Sequence, residues 1–290
     1  MMPSAVSRYA PLALAVACVS FGSILVRIAQ APPLAASFYR MFVAALLLAP
    51  FALGAGLATW PTLGTRRLLI LLGSGTALAL HFATWIASLS YTSVAASVLL
   101  VNMAPVCTLL LSWTFLREPP TGSLIGAMAL AIGGASLIAG GDASNAPDRL
   151  KGDVLALLGA VTLSIHHVIG RGLREALPLG AYVLGVWSTA AAVLGALAIA
   201  THVPLRGYAS RTLAALLGLA LVPTLLGHGL VNRSLRTLPA AVVGLFLLGE
   251  PLGASLLAYG LFAEIPSAWT LAGGGLVLTA LALVVLRGSR

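Results

Sequence analysis

Long stretches without charge are the feature that most constrains this chain. Residues 93–116 read SVAASVLLVNMAPVCTLLLSWTFL, and these 24 residues carry no charged side chain. A helix of that length crosses the roughly 30 Å hydrocarbon core of a bilayer. Of the 290 residues, 60% are hydrophobic and 8% are charged, which is too little charge to cover the surface of a soluble protein. Since no alternating pattern indicates a barrel, the chain is predicted to be an all-α integral membrane protein.

Ten apolar segments are long enough to span the membrane. They are residues 9–28, 36–57, 67–89, 93–116, 121–140, 152–173, 179–200, 210–232, 239–261 and 268–286. The longest polar break, residues 140–153, separates five spans from five. It predicts two units, residues 1–142 and 143–290. The first span begins like a signal peptide, but its length and its counterpart later in the chain favour a retained span.

The basic residues sit mostly at the ends of the spans. The formal net charge is +9, and no soluble basic domain is present to bind nucleic acid. With the N-terminus in the cytoplasm, ten of the 16 Lys and Arg residues fall on the cytoplasmic side. The positive-inside rule therefore predicts that both termini are cytoplasmic and that the bilayer is the main partner of these charges.

An internal repeat relates the two halves. With an offset of 146 residues and no gap, Pro105 aligns with Pro251 and Glu118 with Glu264. Nine of the 33 positions from 88 to 120 are identical in this alignment. Leucine identities arise easily by chance in such a composition, whereas the shared spacing of proline and glutamate does not.

Each repeat unit has an odd number of spans, five, so two consecutive units lie in opposite orientations across the membrane. Secondary transporters use this arrangement and place the substrate site near the midplane, where the repeats meet. Pro105 and Pro251 each free a carbonyl one turn back, and such a carbonyl is costly in lipid unless protein or a wet cavity satisfies it. The paired prolines predict a central cavity with two hinges. Kinks that only shape the packing are the alternative.

Two stretches of the chain resemble the drug/metabolite transporter (DMT) superfamily, EamA family. In each half a small-residue start, a mid-helix proline, a closing glutamate and a Gly-rich helix follow one another. The stretches read SVAASVLLVNMAPVCTLLLSWTFLREPPTGSLIGAMALAIGGASLI and LPAAVVGLFLLGEPLGASLLAYGLFAEIPSAWTLAGGGLVLTALAL. Arg40 matches the family's arginine in the second span, whereas Phe21-Gly22 stands where members usually carry Trp-Gly.

This resemblance implies ten transmembrane helices in two inverted five-helix repeats, and transport of a small molecule. The chain also resembles the YddG-like amino-acid exporters, through its ten-span length and the motif HFATWIASLSYTSVAASVLL. That likeness implies export of aromatic and other neutral amino acids across the cell inner membrane. Export of drugs or lipophilic cations is the alternative within the same superfamily.

Two charged residues inside spans are candidates for substrate binding. Glu250 lies in the ninth span, and a carboxylate at that depth is a functional hypothesis by default. It can bind a substrate ammonium group, carry a coupling proton, or be a protonated group bonded to a neighbouring helix. Arg40 can hold a substrate carboxylate bidentately, or it can snorkel to the interface and set topology.

Uncharged polar and aromatic residues complete the predicted site. His81 and Trp85 are four residues apart on one helix face and can offer an aromatic wall and a hydrogen bond; core packing is the alternative. Asn102 can coordinate the substrate or hold helices together. Of the adjacent His166 and His167, one is predicted to face the cavity and the other a helix interface. The predicted aromatic lining consists of Phe21, Tyr39, Tyr182 and Trp187.

Other classes of function fit the sequence less well. The adjacent histidines lack the spacing of metal ligands, and no metal or cofactor site is predicted. There is no HExxH or GxSxG motif, so an enzyme is not predicted. A channel would need a continuous polar lining, whereas the mid-membrane polar residues are few and scattered. The sequence therefore predicts an alternating-access carrier.

Overall fold

Every regular element in the described part of the chain is helical. The structure is a computed structural model that describes residues 5–88, 91, 97, 100–139, 149–173, 177–263, 265 and 268–287. The helices are α1 Ala5–Ala29, α2 Pro33–Thr59, α3 Gly64–Ser88, α4 Ala104–Leu111, α5 Gly122–Ala139, α6 Arg149–Leu173, α7 Leu179–Ala200, α8 Ser210–Leu219, α9 Gly229–Ser234, α10 Ala240–Leu247, α11 Glu250–Phe262 and α12 Ala268–Arg287. Wider π-helical turns extend α4 over Ser112–Leu116 and join α8 to α9 over Ala220–His228.

Long apolar helices make this a multi-pass membrane protein. Within the described residues, six continuous helical segments are long and apolar enough to cross a membrane, and shorter apolar helices accompany them. One of the six, Pro33–Ser88, holds both α2 and α3, joined by a 3₁₀ turn at Trp60–Leu63. The prediction of an all-helical membrane protein is confirmed. The count of ten spans remains a prediction, and the predicted boundary between the two units lies outside the described residues.

The two halves of the chain pack reciprocally. Helix α2 packs against α7, and α5 packs against α12. Helix α3 packs against α6, just as α1 packs against the segment from α8 to α9. Likewise α4 contacts α6, and α11 contacts α1. Shifting every helix to its repeat counterpart reproduces the same set of pairs, so the packing relates the halves by an approximate two-fold exchange.

Glycines let several of these helix pairs approach closely. A Cβ atom on Gly75 of α3 would stand 2.7 Å from the carbonyl oxygen of Val186 on α7. A Cβ atom on Gly134 of α5 would stand 2.5 Å from the carbonyl oxygen of Gly273 on α12. Side chains do not fit at these distances, and close backbone approach of this kind is how membrane helices gain packing energy.

The fourth and ninth predicted spans are interrupted at matching positions. A turn at Asn102 and Met103 precedes α4, and a turn at Leu248 and Gly249 separates α10 from α11. The offset of 146 residues superimposes one turn on the other. Pro105 and Pro251 therefore stand in the first turn of a helix, where the missing N–H removes no helical hydrogen bond.

The structure thus places the two prolines at helix starts and not inside continuous helices. Their role as hinges stays a prediction. The start of α4 lies against the second half of the chain, because a Cβ atom on Gly244 of α10 would be 3.3 Å from Pro105 Cα. Ser164 Oγ, on α6, donates to the Ala104 carbonyl oxygen at 2.7 Å. Both halves therefore meet where α4 begins.

Candidate functional site

Arg40 is held inside the molecule by two residues far away in sequence. Its side chain is 7% exposed on α2. Its Nε donates to Thr224 Oγ1 at 3.2 Å, and its Cζ lies 4.3 Å from the centroid of the Phe82 ring. Among the described residues, no group accepts a hydrogen bond from its two terminal Nη atoms. A snorkelling arginine would extend toward interfacial water. This one is instead fixed on an aromatic face, with its terminal donors open.

Glu250 faces Arg40 from the other half of the chain. It occupies the first turn of α11, where the positive end of the helix dipole favours a negative side chain. The residue is partly exposed and lies within electrostatic range of Arg40. In the described part of the chain, neither residue forms a direct ion pair. The two opposite charges are therefore coupled but remain open to a third group.

Four histidines form a cluster that reaches Arg40. His81, His166, His167 and His228 lie within electrostatic range of one another, and Arg40 acts on His81 and His228. His228 is not among the residues predicted from the sequence, although an ionisable residue five positions after a mid-span proline was a usable signal. The histidine cluster therefore adjoins Arg40, the charge that also acts on Glu250.

Gly159 of α6 is the point where several site residues converge. His81 Nδ1 lies 2.9 Å from the Gly159 carbonyl oxygen, and because a carbonyl only accepts, this nitrogen carries the proton. The His81 ring stacks on Trp85, with centroids 6.0 Å apart and planes 8° apart. A Cβ atom on Gly159 would be 3.2 Å from Trp85 Cβ and 3.3 Å from Val101 Cγ2. Trp85 therefore lies beside the helix break that contains Asn102.

The adjacent histidines of α6 have different surroundings. His166 Nδ1 lies 2.9 Å from Ser74 Oγ, which in turn lies 3.0 Å from Tyr182 OH. His167 is equally buried, and neither of its ring nitrogens has a partner among the described residues. The two rings lie 5.6 Å apart with their planes tilted by 49°, and which of them faces a cavity stays a prediction. His166 belongs to a polar chain that links α3, α6 and α7.

Three further predicted residues present polar atoms without partners. Trp85 Nε1, Asn102 Nδ2 and Trp187 Nε1 are buried, and the described residues offer them no hydrogen bond. A buried donor left unpaired costs about 1–3 kcal/mol, so such atoms usually meet water or a ligand. Trp187 is 1% exposed within the core of α7, whereas Trp85 is partly exposed.

Of the last two predicted residues, Tyr39 lies apart from this cluster, whereas Phe21 follows Ser20, whose Oγ donates to the Glu250 carbonyl oxygen at 3.3 Å. Tyr39 precedes Arg40 in sequence, but its hydroxyl donates to the Leu205 carbonyl oxygen at 2.5 Å, and its ring meets Tyr208 edge-on. It packs against the loop between α7 and α8. Phe21 is partly buried on α1. A Cβ atom added to its neighbour Gly22 would lie 3.9 Å from Pro223 Cβ, which is an ordinary van der Waals contact.

One ring contact marks the centre of the arrangement. The rings of Phe82 and His228 meet edge-on, with centroids 6.4 Å apart. The repeat offset of 146 residues aligns these two positions with each other. A residue that touches its own repeat counterpart lies beside the axis that relates the halves. Arg40 covers the same Phe82 ring and therefore also lies beside that axis.

Comparison with known proteins agrees with this architecture. The sequence pattern of the EamA-like transporter family matches residues 9–140 and again residues 150–286. A solved crystal structure is similar to this chain with a TM-score of 0.81 and 17% sequence identity, over 97% of each chain, which shows the fold alone. No curated protein matches the chain, and the narrower likeness to YddG-like amino-acid exporters is not supported. The two family matches cover nearly the whole chain, and the protein therefore belongs to the EamA-like transporter family of the DMT superfamily.

Proposed function

We propose that this transporter is an alternating-access carrier that exports small amphipathic zwitterions across the cell inner membrane, with both termini in the cytoplasm. Aromatic and other neutral amino acids are the foremost substrates. The observation that carries the proposal is the pair of Arg40 and Glu250, which are electrostatically coupled without a direct ion pair in the described part of the chain. An α-carboxylate suits the free Nη donors of Arg40 bidentately, and an α-ammonium group suits Glu250.

The surrounding rings support an amphipathic substrate. His81 stacks on Trp85, and Phe82 lies between His81 and His228 in ring contact with both. Pockets for small organic molecules combine such apolar walls with a few oriented polar groups. The unpaired Nε1 of Trp85 is available to a substrate carbonyl or hydroxyl group. Aromatic walls beside a charge pair match an amino acid with an apolar side chain.

The reciprocal packing of the halves supports alternating access. We propose that the two five-helix units are inverted relative to each other and that the breaks before Pro105 and Pro251 let half-helices tilt as the two sides of the membrane exchange access. Glu250 is the group in this site that can carry a coupling proton. The direction of transport and the inner-membrane location rest on the family resemblance.

Export of lipophilic cations is the second candidate, because Glu250 could serve as a counter-charge. The arrangement of charges favours it less, since Arg40 acts on that carboxylate. A lone cation would gain the attraction of Glu250 and meet the repulsion of Arg40. A zwitterion uses both charges.

Uptake into proteoliposomes tests the proposal. Labelled phenylalanine, threonine and tetraphenylphosphonium would be compared in the wild type, Arg40→Gln and Glu250→Gln, with and without a pH gradient. Saturable phenylalanine uptake is expected, with KM raised about tenfold or more in Arg40→Gln because a charge-assisted hydrogen-bond pair is lost. Arg66→Gln is the matched control, because Arg66 is an exposed arginine at the start of α3.

Each result has a distinct meaning. Uptake of the cation alone would overturn the amino-acid proposal in favour of drug export. Stimulation by the pH gradient that disappears in Glu250→Gln would identify Glu250 as the proton site. Equal uptake of phenylalanine with and without the gradient would identify facilitated transport. Equal KM values in Arg40→Gln and Arg66→Gln would remove Arg40 from the substrate site.

A further inference from the structure

The π-helical segment Ala220–His228 holds a threonine whose hydroxyl is fixed from two sides. Pro223 has no N–H to give to the carbonyl of Leu219, which lies four residues earlier. The hydroxyl of Thr224 donates to that carbonyl at 2.8 Å. Thr224 is fully buried. Wide turns of this kind inside helices occur frequently at functional sites.

The same hydroxyl oxygen meets Arg40. Arg40 Nε can only donate, and the Leu219 carbonyl can only accept, so the one proton of Thr224 Oγ1 must point toward Leu219 and a lone pair must point toward Arg40. The direction of the hydroxyl is therefore determined by its two neighbours. Thr224 therefore gives the Leu219 carbonyl a hydrogen bond that Pro223 cannot make.

Two contacts together define how the guanidinium lies. The Phe82 ring supports one face of the planar group, with Cζ 4.3 Å from the ring centroid. The Thr224 oxygen binds the Nε edge at 3.2 Å. What remains is the opposite edge, which carries the two Nη atoms. Within the described residues, nothing accepts a hydrogen bond from that edge, and it is the edge that a carboxylate binds bidentately.

We infer that Thr224 is a positioning residue that directs the Nη edge of Arg40 toward the carboxylate of the transported solute. The inference rests on the proposed function, because it assumes a carboxylate-bearing substrate at Arg40. Thr224 itself does not touch the substrate. It links the two halves of the chain, since Arg40 lies on α2 and Thr224 lies 184 residues later. The carboxylate subsite is therefore complete when the π-helical segment packs against α2.

The test compares Thr224→Val, which keeps the shape and removes the hydroxyl, with Thr224→Ser, which keeps the hydroxyl. Phenylalanine uptake into proteoliposomes would be inhibited by unlabelled phenylalanine and by phenylalaninamide, which lacks the carboxylate. We expect the preference for phenylalanine over the amide to fall about tenfold in Thr224→Val and to stay within about twofold of wild type in Thr224→Ser. A purely structural role would alter the amount of active protein but not this ratio.

A double variant and a second substitution complete the design. In the Arg40→Gln background, Thr224→Val should change the ratio by less than about twofold, because there is no guanidinium left to position. Thr224→Ala replaces Thr224→Val if the valine variant does not fold. An unchanged ratio in Thr224→Val or Thr224→Ala overturns this inference while uptake by the wild type leaves the proposed function standing. Absence of saturable phenylalanine uptake by the wild type overturns the proposed function, and this inference with it.

Discussion

A buried imidazole can take two tautomers, and at His81 a neighbouring carbonyl selects one. The Gly159 carbonyl oxygen lies 2.9 Å from Nδ1, so Nδ1 carries the proton and Nε2 of the neutral ring is left with a lone pair. The Nδ1 donor is thus used in a bond between α3 and α6, and the Nε2 acceptor is the atom that the proposed function leaves for a substrate.

Substitutions of His81 test the structural bond at Nδ1. His81→Asn places an amide N–H near the position of Nδ1 and should keep the bond to Gly159. His81→Leu removes this bond, although Thr162 Oγ1 still donates to the same carbonyl at 3.1 Å, and should cost about 0.5–1.5 kcal/mol of stability. Melting temperatures in detergent would measure this, and we expect a clear decrease for leucine and little change for asparagine. Equal melting temperatures for both variants would contradict a structural bond at Nδ1.

At the scale of helices, close packing rests on individual glycines. Gly134 of α5 faces α12, and a Cβ atom there would be 2.5 Å from the Gly273 carbonyl oxygen. Its neighbour Gly133 has nothing within 4 Å of a Cβ atom. The same helix therefore offers a contact position and an open position side by side.

Alanine at these two positions should have opposite effects. Gly134→Ala forces α5 and α12 apart and should destabilise the protein by about 1–3 kcal/mol, as overpacking does. Gly133→Ala meets open space and favours the helix, so it should be neutral or slightly stabilising. Thermal unfolding in detergent would compare the two. If Gly133→Ala lost as much stability as Gly134→Ala, the α5–α12 contact would not be the reason.

The breaks in the fourth and ninth predicted spans should matter for transport more than for stability. Pro105 and Pro251 each occupy the first turn of a helix, where alanine can be accommodated. Pro105→Ala and Pro251→Ala restore a backbone donor and allow the preceding helix to continue through the turn. We expect slower uptake at unchanged KM in both variants. Full transport rates in both would show that the two breaks do not act as hinges.

At the scale of the whole molecule, the hydrogen bonds of one arginine connect three segments at the ends of helices. Arg171, near the end of α6, donates from Nε to Glu118 Oε1 at 2.8 Å. Its Nη1 donates to the carbonyl oxygens of Leu235 and Arg236, at 3.3 and 2.9 Å. Glu118 follows α4, whereas Leu235 follows α9. These bonds hold α6 to the segment after α4 and to the turn between α9 and α10.

Loss of the hydrogen bonds made by Arg171 should increase the access of solvent to α4. In a Cys18→Ala, Cys107→Ala background, Thr108→Cys places a reporter at a fully buried position of α4. We expect a membrane-impermeant maleimide to label this cysteine several-fold faster when Arg171→Gln is added. Arg236→Gln is the control, because Arg236 contributes its backbone carbonyl to these hydrogen bonds. Identical labelling rates in all three proteins would mean that Arg171 does not control access.

Local sequence patterns were enough to predict the class of protein and its organisation as two related halves. Uninterrupted apolar runs predict helices in lipid, and the spacing of Pro105 and Glu118 relative to Pro251 and Glu264 predicts two related halves. The same spacing placed both helix breaks, because a proline disfavours the helix in its own neighbourhood and needs no distant partner. Glu250 was also a candidate from sequence, since a carboxylate inside an apolar span stands out against its surroundings.

Only the tertiary structure decided which side chains share the site. Thr224, Phe82 and Ser74 carry no charge and look like ordinary span residues in the sequence, yet two of them hold Arg40 and the third binds His166. The side chain of Tyr39 does not share the site with Arg40, because the side chains of adjacent helix residues point about 100° apart. The site forms across the two halves between residues that are up to 184 positions apart. Such contacts follow from how helices pack, and helix packing depends on the shapes of all the facing surfaces and on no single stretch of the chain.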